Sequence, residues 1–326
     1  MRRSTFVLLA GCFLAATRLL AQSGAPGADG SLVARAPCAP MRAYAVERAA
    51  RIAAARGQDP PPGFPDSAEY ARLARGAVCE RLTYWSDGLR VVAILVRPAV
   101  VEGHRFPLVV FNHGNTAERG ALPERVLPWQ AALVDRGYVV IAPQYRGGGG
   151  GEGRDEFGGA DVTDVMNVFP LAESLGYVDM RNAFMHGHSR GGTMTYLALK
   201  AGAPVRAAAV TSGVADFAAR TQFTPWVADS VDRVLMPDYE HRAAEHYRTR
   251  SAVNWPERLT VPLLIMAGTA DDRVPPASAL ALAGLLQQLG RPYELVIFAG
   301  DNHDLLAHRP EVDARIAAWF DAHRVP

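Results

Sequence analysis

The sequence predicts an α/β protein: a mostly parallel central sheet, helices on both faces and an antiparallel hairpin at its N-terminal edge. Three observations carry this. From residue 80 onward, short and nearly continuous apolar runs alternate with segments of helical length. Strands buried on both faces read this way, and helices must supply the cover. The first two strand-like runs, 81–85 and 89–97, are separated only by Ser86-Asp87-Gly88, a turn signal that pairs them antiparallel. Residues 181–196, RNAFMHGHSRGGTMTY, read as a short strand, a glycine-flanked turn and a helix.

The N-terminal quarter is different. Arg2 and Arg3 precede an apolar run at 6–16, and Leu19-Leu20-Ala21 ends on a small residue, the pattern of a secretory signal peptide over 1–21. The run is too short for a membrane span. Leu9-Ala10-Gly11-Cys12 offers a competing reading, a lipoprotein anchored through Cys12. Removing 1–21 takes away Arg2, Arg3, Arg18 and no acid, lowering the net charge from +1 to −2. Export, to the periplasm or the medium, leaves two cysteines, Cys38 and Cys79. An isolated pair in an oxidising compartment is a disulfide candidate, with two buried thiols as the alternative. Residues 22–37 read as a disordered leader. Helical patterns at 43–56 and 67–75 flank the rigid Asp59-Pro60-Pro61-Pro62-Gly63. The expected organisation is therefore an extension over 22–79 and a main domain over 80–326.

In the main domain, strands are expected at 107–112, 138–142, 183–185, 206–211, 262–267 and 293–298. Helices are expected at 127–136, 161–174, 192–200, 277–289 and 312–323. The 161–174 helix should kink at Pro170, with Asp161 as N-cap and Asp164 in the first turn. Residues 214–260 form an excursion rich in aromatics (Phe217, Phe223, Trp226, Tyr239, Tyr247 and Trp255), read as a small lid whose rings line an acyl pocket or pack the lid itself. A chain with 49% hydrophobic residues and a net charge of +1 has no basic excess for nucleic acid.

Gly187-His188-Ser189-Arg190-Gly191 is a G-x-S-x-G sequence in a strand–turn–helix setting. The glycines remove Cβ atoms that would clash in so sharp a turn, so the serine hydroxyl stands exposed at the helix N-terminus. A serine nucleophile needs a base and a group to orient it. His303 and Asp271 follow the last two strands, in the chain order serine, acid, histidine; Asp272 is the alternative acid and Asp301 a weaker one. Oxyanion donors are expected from the N–H of Arg190 and from His113-Gly114-Asn115, after the 107–112 strand. The glycine run 147–151 lacks the Gly-Lys-Ser/Thr of a phosphate-binding loop and reads as a flexible loop at the site rim. His186 and His188 lack further ligands at metal spacing, and His241 and His246 read as exposed. No metal or organic cofactor is expected.

These residues together resemble the α/β-hydrolase superfamily, and within it the catalytic domain of the prolyl oligopeptidase family of serine peptidases. The marks are Gln144-Tyr145-Arg146-Gly147, Phe157-Gly158-Gly159-Ala160-Asp161-Val162 with Asp164-Val165, Gly187-His188-Ser189-Arg190-Gly191-Gly192, and Gly268-Thr269-Ala270-Asp271-Asp272-Arg273-Val274-Pro275. The resemblance implies the α/β-hydrolase fold, Asp271 as the acid, Arg273 as a residue that binds a substrate carbonyl, and hydrolysis of small peptides or esters. Residues 22–80 are too few for the family's β-propeller. His113 falls where some members place an oxyanion-binding tyrosine, and no paired glutamates for a peptide N-terminus can be placed. An esterase, or a non-catalytic binding protein on the same scaffold, are the alternatives.

Overall fold

The computed structural model describes residues 26–38, 43–54, 59–60, 64–115 and 128–326; the expected signal peptide and Cys12 lie outside them. Among the described residues nine strands form one sheet: β1 (Leu32–Pro37), β2 (Ala77–Ser86), β3 (Leu89–Pro98), β4 (Phe106–Asn112), β5 (Val139–Pro143), β6 (Val178–His188), β7 (Ala207–Thr211), β8 (Leu263–Gly268) and β9 (Tyr293–Phe298). Their order is β1-β2-β3-β5-β4-β6-β7-β8-β9. From β5 to β9 all neighbours are parallel, and β1, β2 and β3 add an antiparallel edge. Among the described residues, the α-helices of six residues or more are α1 (Tyr44–Ala54), α2 (Ser67–Gly76), α3 (Pro128–Asp135), α4 (Asp161–Met166), α5 (Val168–Ser174), α6 (Arg190–Lys200), α7 (Phe217–Phe223), α8 (Tyr239–Arg250), α9 (Pro276–Gln288) and α10 (Arg309–Ala322).

The apolar runs of the parallel strands divide by residue parity. Leu108, Val110, Ile141, Met185, Val210 and Ile265 face one core. Val109, Phe111, Val140, Phe184, Ala209 and Met266 face the other, against Val134 and Phe320 of α3 and α10. Successive side chains of a strand point to opposite faces, so a strand covered on both sides must be apolar throughout. The β2–β3 hairpin turns on Asp87 (φ 50°) and Gly88 (φ 74°), the positive-φ pair that a two-residue hairpin turn requires.

Four expectations need correction. Residues 32–37, read as leader, form β1, which pairs with β2 from Leu32↔Tyr84 to Pro37↔Glu80. All six of its residues are exposed. Backbone pairing to β2 and the Arg35–Glu80 ion pair hold this edge strand, and no buried face gives it an apolar alternation to betray it. The 161–174 helix breaks at Asn167 into α4 and α5. Pro170 has no N–H for the Met166 carbonyl, and its ring crowds that carbonyl. Asp161 is the first helical residue and not the cap; its carboxylate turns back to accept the N–H groups of Gly158 and Gly159. His246 is buried where exposure was expected; its Nε2–H donates to the Pro237 carbonyl at 2.6 Å, and its Nδ1 accepts from Arg250 at 2.8 Å.

The glycine run packs against the hairpin. Gly147, Gly148 and Gly151 each donate a backbone hydrogen bond to Glu152, Tyr145 and Gly148 respectively, and Glu152 pairs with Arg90 of β3. Residues 214–260 contain α7 and α8. Phe217, Leu235 and Met236 pack on Phe157 and Val274, and Trp255 packs under the Lys200 ammonium at 4.4 Å. Phe223 and Trp226 remain exposed. Among the described residues no helix is long and apolar enough to cross a membrane.

Cys38 and Cys79 are joined by a disulfide across 41 positions, tying the end of β1 to β2. Closing a loop of that length is worth roughly 4 kcal/mol in the chain-entropy account. The Cys38→Ser, Cys79→Ser double variant should unfold at clearly lower denaturant than the parent; equal midpoints would show that the bridge does not contribute.

Candidate active site

The site stands where the strand order reverses. β4 connects to β5 on one side, and β6 lies on the other side of β4. In open α/β sheets a crevice forms beyond the carboxyl ends of strands at such a point. In register, Asn112 lies beside Gly187, His188 beside Thr211, and Gly268 beside Phe298. The segments that follow these strands therefore converge at one end of the sheet.

Ser189 occupies the turn between β6 and α6 with φ 56° and ψ −124°, a strained conformation for a residue with a side chain. Its neighbours impose it. A Cβ on Gly187 would stand 2.2 Å from the Gly191 carbonyl oxygen, and one on Gly191 would stand 1.8 Å from that of Asn112. At Gly192 it would meet Gly213 Cα at 2.6 Å. Only glycine lets β6, α6 and the β4 end approach this closely. Two backbone bonds fix the turn: the Ser189 N–H donates to Thr211 O at 2.9 Å, and Gly192 N–H donates to Ser189 O at 2.8 Å.

His303 Nε2 stands 2.8 Å from Ser189 Oγ, and its Nδ1 stands 2.8 Å from Asp271 Oδ2. His303 and Asp271 are 3% and 4% exposed. The other Asp271 oxygen accepts the N–H groups of Arg273 and Val274 at 2.8 and 2.9 Å, which fixes the carboxylate in the direction of the imidazole. Asp272 is exposed. Asp301 is committed elsewhere: it accepts from Asn302, Ala307 and His308 N–H and from the His308 ring. The arrangement can pass the hydroxyl proton to Nε2 while the carboxylate stabilises the imidazolium that results.

Arg190 opens α6, where backbone N–H groups have no acceptor within the helix. Opposite lies Gly114, whose absent Cβ would sit 3.1 Å from Ser189 Cβ; Asn115 follows with φ 61°. The His113 ring is stacked on Tyr145 at 4.6 Å, and its Nδ1–H is taken by the Gly114 carbonyl at 2.8 Å. The His113 Nδ1 is thus engaged within its own loop. Arg273 is exposed at the same end of the sheet. Among the described residues, no group of three histidine, cysteine or acidic side chains could hold a metal ion.

Sequence reasoning missed what lies under the elbow. The Arg190 side chain is 2% exposed. It donates to Asp155 at 2.5 and 2.6 Å, to Asp161 at 2.6 Å and to the Asn115 carbonyl at 3.1 Å. Its guanidinium lies 4.6 Å from the Tyr145 ring centre and 5.0 Å from that of Phe157. Burial opposes its charge, but the two carboxylates outweigh burial and hold its proton more tightly than usual. The signal was present: Asp155 and Asp161 bracket the Phe157-Gly158-Gly159 segment, and one arginine follows the serine. Arg146 forms a second ion pair in the interior, with the buried Asp164 at 2.8 Å, and reaches the exposed Asp87 at 2.7 Å.

The sequence profile of the prolyl oligopeptidase family, peptidase S9, matches residues 125–324. The chain belongs to this family. It is 28% identical over 242 residues to a Bacillus subtilis protein named uncharacterized peptidase YtmA, covering 74% of this chain and 89% of that one. Against Aspergillus fumigatus dipeptidyl-peptidase 5 it is 28% identical over 211 residues, covering 61% of this chain and 29% of the fungal protein. Porphyromonas gingivalis dipeptidyl peptidase 4 superimposes with a TM-score of 0.65 at 25% identity, over 78% of this chain and 37% of that one. Pyrococcus horikoshii acylaminoacyl peptidase shares the fold, with a TM-score of 0.66 at 20% identity over 75% of this chain and 41% of that one. The chain thus spans most of YtmA and well under half of the larger relatives. It is a serine hydrolase of the peptidase S9 family.

Two expectations follow for stability. Arg190→Met would leave Asp155 and Asp161 buried without their cation, at a cost of about 3–5 kcal/mol; a denaturation midpoint like that of the parent would contradict this. Burial lowers the His113 pKa to about 4 and holds His186 well below the ordinary histidine value of 6.5. The unfolded chain therefore takes up these protons first as pH falls. The stability they contribute is present above pH ~6.5 and is lost progressively toward pH ~4. Melting temperature should fall across that window, and a flat profile would count against it.

Proposed function

We propose that this chain is an exported serine hydrolase that cleaves small peptides or esters through an acyl-enzyme on Ser189. The observation that carries this reading is the unbroken line Asp271–His303–Ser189, with 2.8 Å at each step. In the proposed reaction His303 takes the Ser189 proton as Oγ attacks the substrate carbonyl, then delivers it to the leaving amine or alcohol. Asp271 holds the imidazole tautomer and the charge that forms on it. The oxyanion is met by the Arg190 N–H and by backbone of the His113-Gly114-Asn115 loop. Arg273 is assigned the binding of a substrate carbonyl. Water then repeats the sequence to release the acid.

The names of the relatives, dipeptidyl peptidases and an acylaminoacyl peptidase, support short peptides as substrates. One observation favours an ester with an apolar acyl group as the second reading. Phe223 and Trp226 are exposed on either side of Thr224, whose hydroxyl donates to the Arg273 carbonyl at 3.3 Å, so apolar surface borders the Asp271 loop. Export is supported by the charged and apolar pattern of residues 1–21 and by the Cys38–Cys79 bridge; lipidation at Cys12 is the lesser variant. The proposed division is an extension over 22–79 and a catalytic domain over 80–326 with a lid at 214–260; β2 runs across the first boundary.

Ser189→Ala should lower kcat about 10⁶-fold, as loss of the nucleophilic serine does in subtilisin, and abolish labelling by a fluorophosphonate probe. Matched p-nitrophenyl esters and proline-containing peptide anilides then separate the two readings. Anilide turnover supports the peptidase, and ester turnover alone supports the esterase. Labelling that persists in Ser189→Ala would remove Ser189 as the nucleophile.

A further inference from the structure

The two loops that bring Ser189 and His303 together also carry a second string of polar groups, which the proposed reaction does not use. His188 precedes Ser189, and its ring centre lies 5.2 Å from that of His303. Its Nε2 stands 3.2 Å from Oδ1 of Asp304, the residue after His303. Its Nδ1 stands 3.1 Å from Thr211 Oγ1, which is 3.3 Å from Nε2 of the buried His186.

The hydrogens of this string can be assigned one by one. A carboxylate only accepts, so His188 Nε2 carries the hydrogen given to Asp304. In neutral His188 the Nδ1 is then a lone pair that takes the Thr211 hydroxyl hydrogen, and the Thr211 oxygen accepts Nε2–H of His186. Burial keeps His188 on the low side of the ordinary histidine range; the Asp304 hydrogen bond opposes this, and His303 and Arg309 reinforce it. The hydrogen bond from His188, with His303 and Arg273 nearby, holds the Asp304 carboxyl below the usual range. Protonating His188 would force its Nδ1–H onto the Thr211 oxygen and turn that hydroxyl toward the Gly187 carbonyl, 3.5 Å away. A second cation would then face His303.

We infer that His188 and Asp304 are positioning residues for His303. The inference rests on the triad reading above. Because His188 adjoins Ser189 and Asp304 adjoins His303, the His188–Asp304 bond closes the same two loops that the His303–Ser189 bond closes. It also places a fixed anion near the imidazolium that forms during acyl transfer. The charged and titratable groups facing the pair are His303, Arg309, Arg273 and, across Thr211, His186.

The test is the pH profile of kcat/KM between pH 5 and 9 on a p-nitrophenyl ester, for the full chain and its Asp304→Asn, Asp304→Glu and Thr211→Val variants. Fluorophosphonate labelling of the parent and Ser189→Ala is run beside it. Asp304→Asn keeps the acceptor oxygen and removes the charge. It should lower kcat roughly tenfold with KM little changed, and move the acid limb to lower pH by on the order of half a unit, because the imidazolium loses its neighbouring anion. Asp304→Glu should restore most of the parent profile, and Thr211→Val should lower kcat in the same direction. An unmoved acid limb in an Asp304→Asn protein that melts like the parent overturns the inference, while Ser189-dependent labelling leaves the triad standing. Labelling that survives Ser189→Ala overturns both.

Discussion

The closeness of three backbones at the end of β6 is the constraint on which this molecule depends. Asn112, Gly187 and Gly191 meet with no space for a Cβ on either glycine. Ser189 is consequently held at positive φ with its hydroxyl turned out of the sheet. Strain of that kind persists only where the surroundings over-determine it. Here the surroundings are the two-faced core beneath β4, β6 and β7 and the backbone bonds that Ser189 gives to Thr211 and accepts from Gly192. The hydroxyl thereby meets an imidazole that arrives from a loop more than a hundred residues later.

Electrostatics reinforces the same corner from below. A buried guanidinium is tolerated only when its donors are answered, and Arg190 is answered by Asp155, Asp161 and the Asn115 carbonyl. Those partners bind the start of α6 to the segment before α4 and to the loop after β4. That loop is the one proposed to meet the oxyanion. The ion cluster thus couples the stability of the elbow to the placement of the backbone opposite it. Arg146 and Asp164 do the same for the β5 end, taking in Ser86 of the hairpin.

Much of this was legible because it is written in short-range chemistry. Apolar runs between helical segments announced a sheet covered on both faces, and Asp87-Gly88 announced its hairpin. The glycines around Ser189 announced a turn that nothing larger could make. Asp271 and His303 could be singled out because each follows a strand in the expected order, although Asp272 and Asp301 stayed open until the Asp271 carboxylate was seen fixed by the Arg273 and Val274 N–H groups. β1 escaped because an edge strand exposed on both faces leaves no periodic trace. The break at Asn167 was misplaced toward Pro170 because proline disturbs the turn preceding it. His246 looked exposed on a polar helix; it is buried with its ring nitrogens satisfied by Arg250, one turn further along the same helix, and by the Pro237 carbonyl.

The sequence by itself determined the fold class, the family and the three residues on which the chemistry is proposed to turn. Each of these is set by local pattern: periodicity, glycine at sharp turns, and the order of polar residues after strands. Tertiary structure decided which of two adjacent aspartates faces the imidazole, that Arg190 is buried among carboxylates, and that His188 reaches Asp304 and Thr211. Those outcomes depend on contacts between residues some 20 to more than 100 positions apart. Their geometry exists only after the sheet has closed, and one-dimensional spacing carries no record of it.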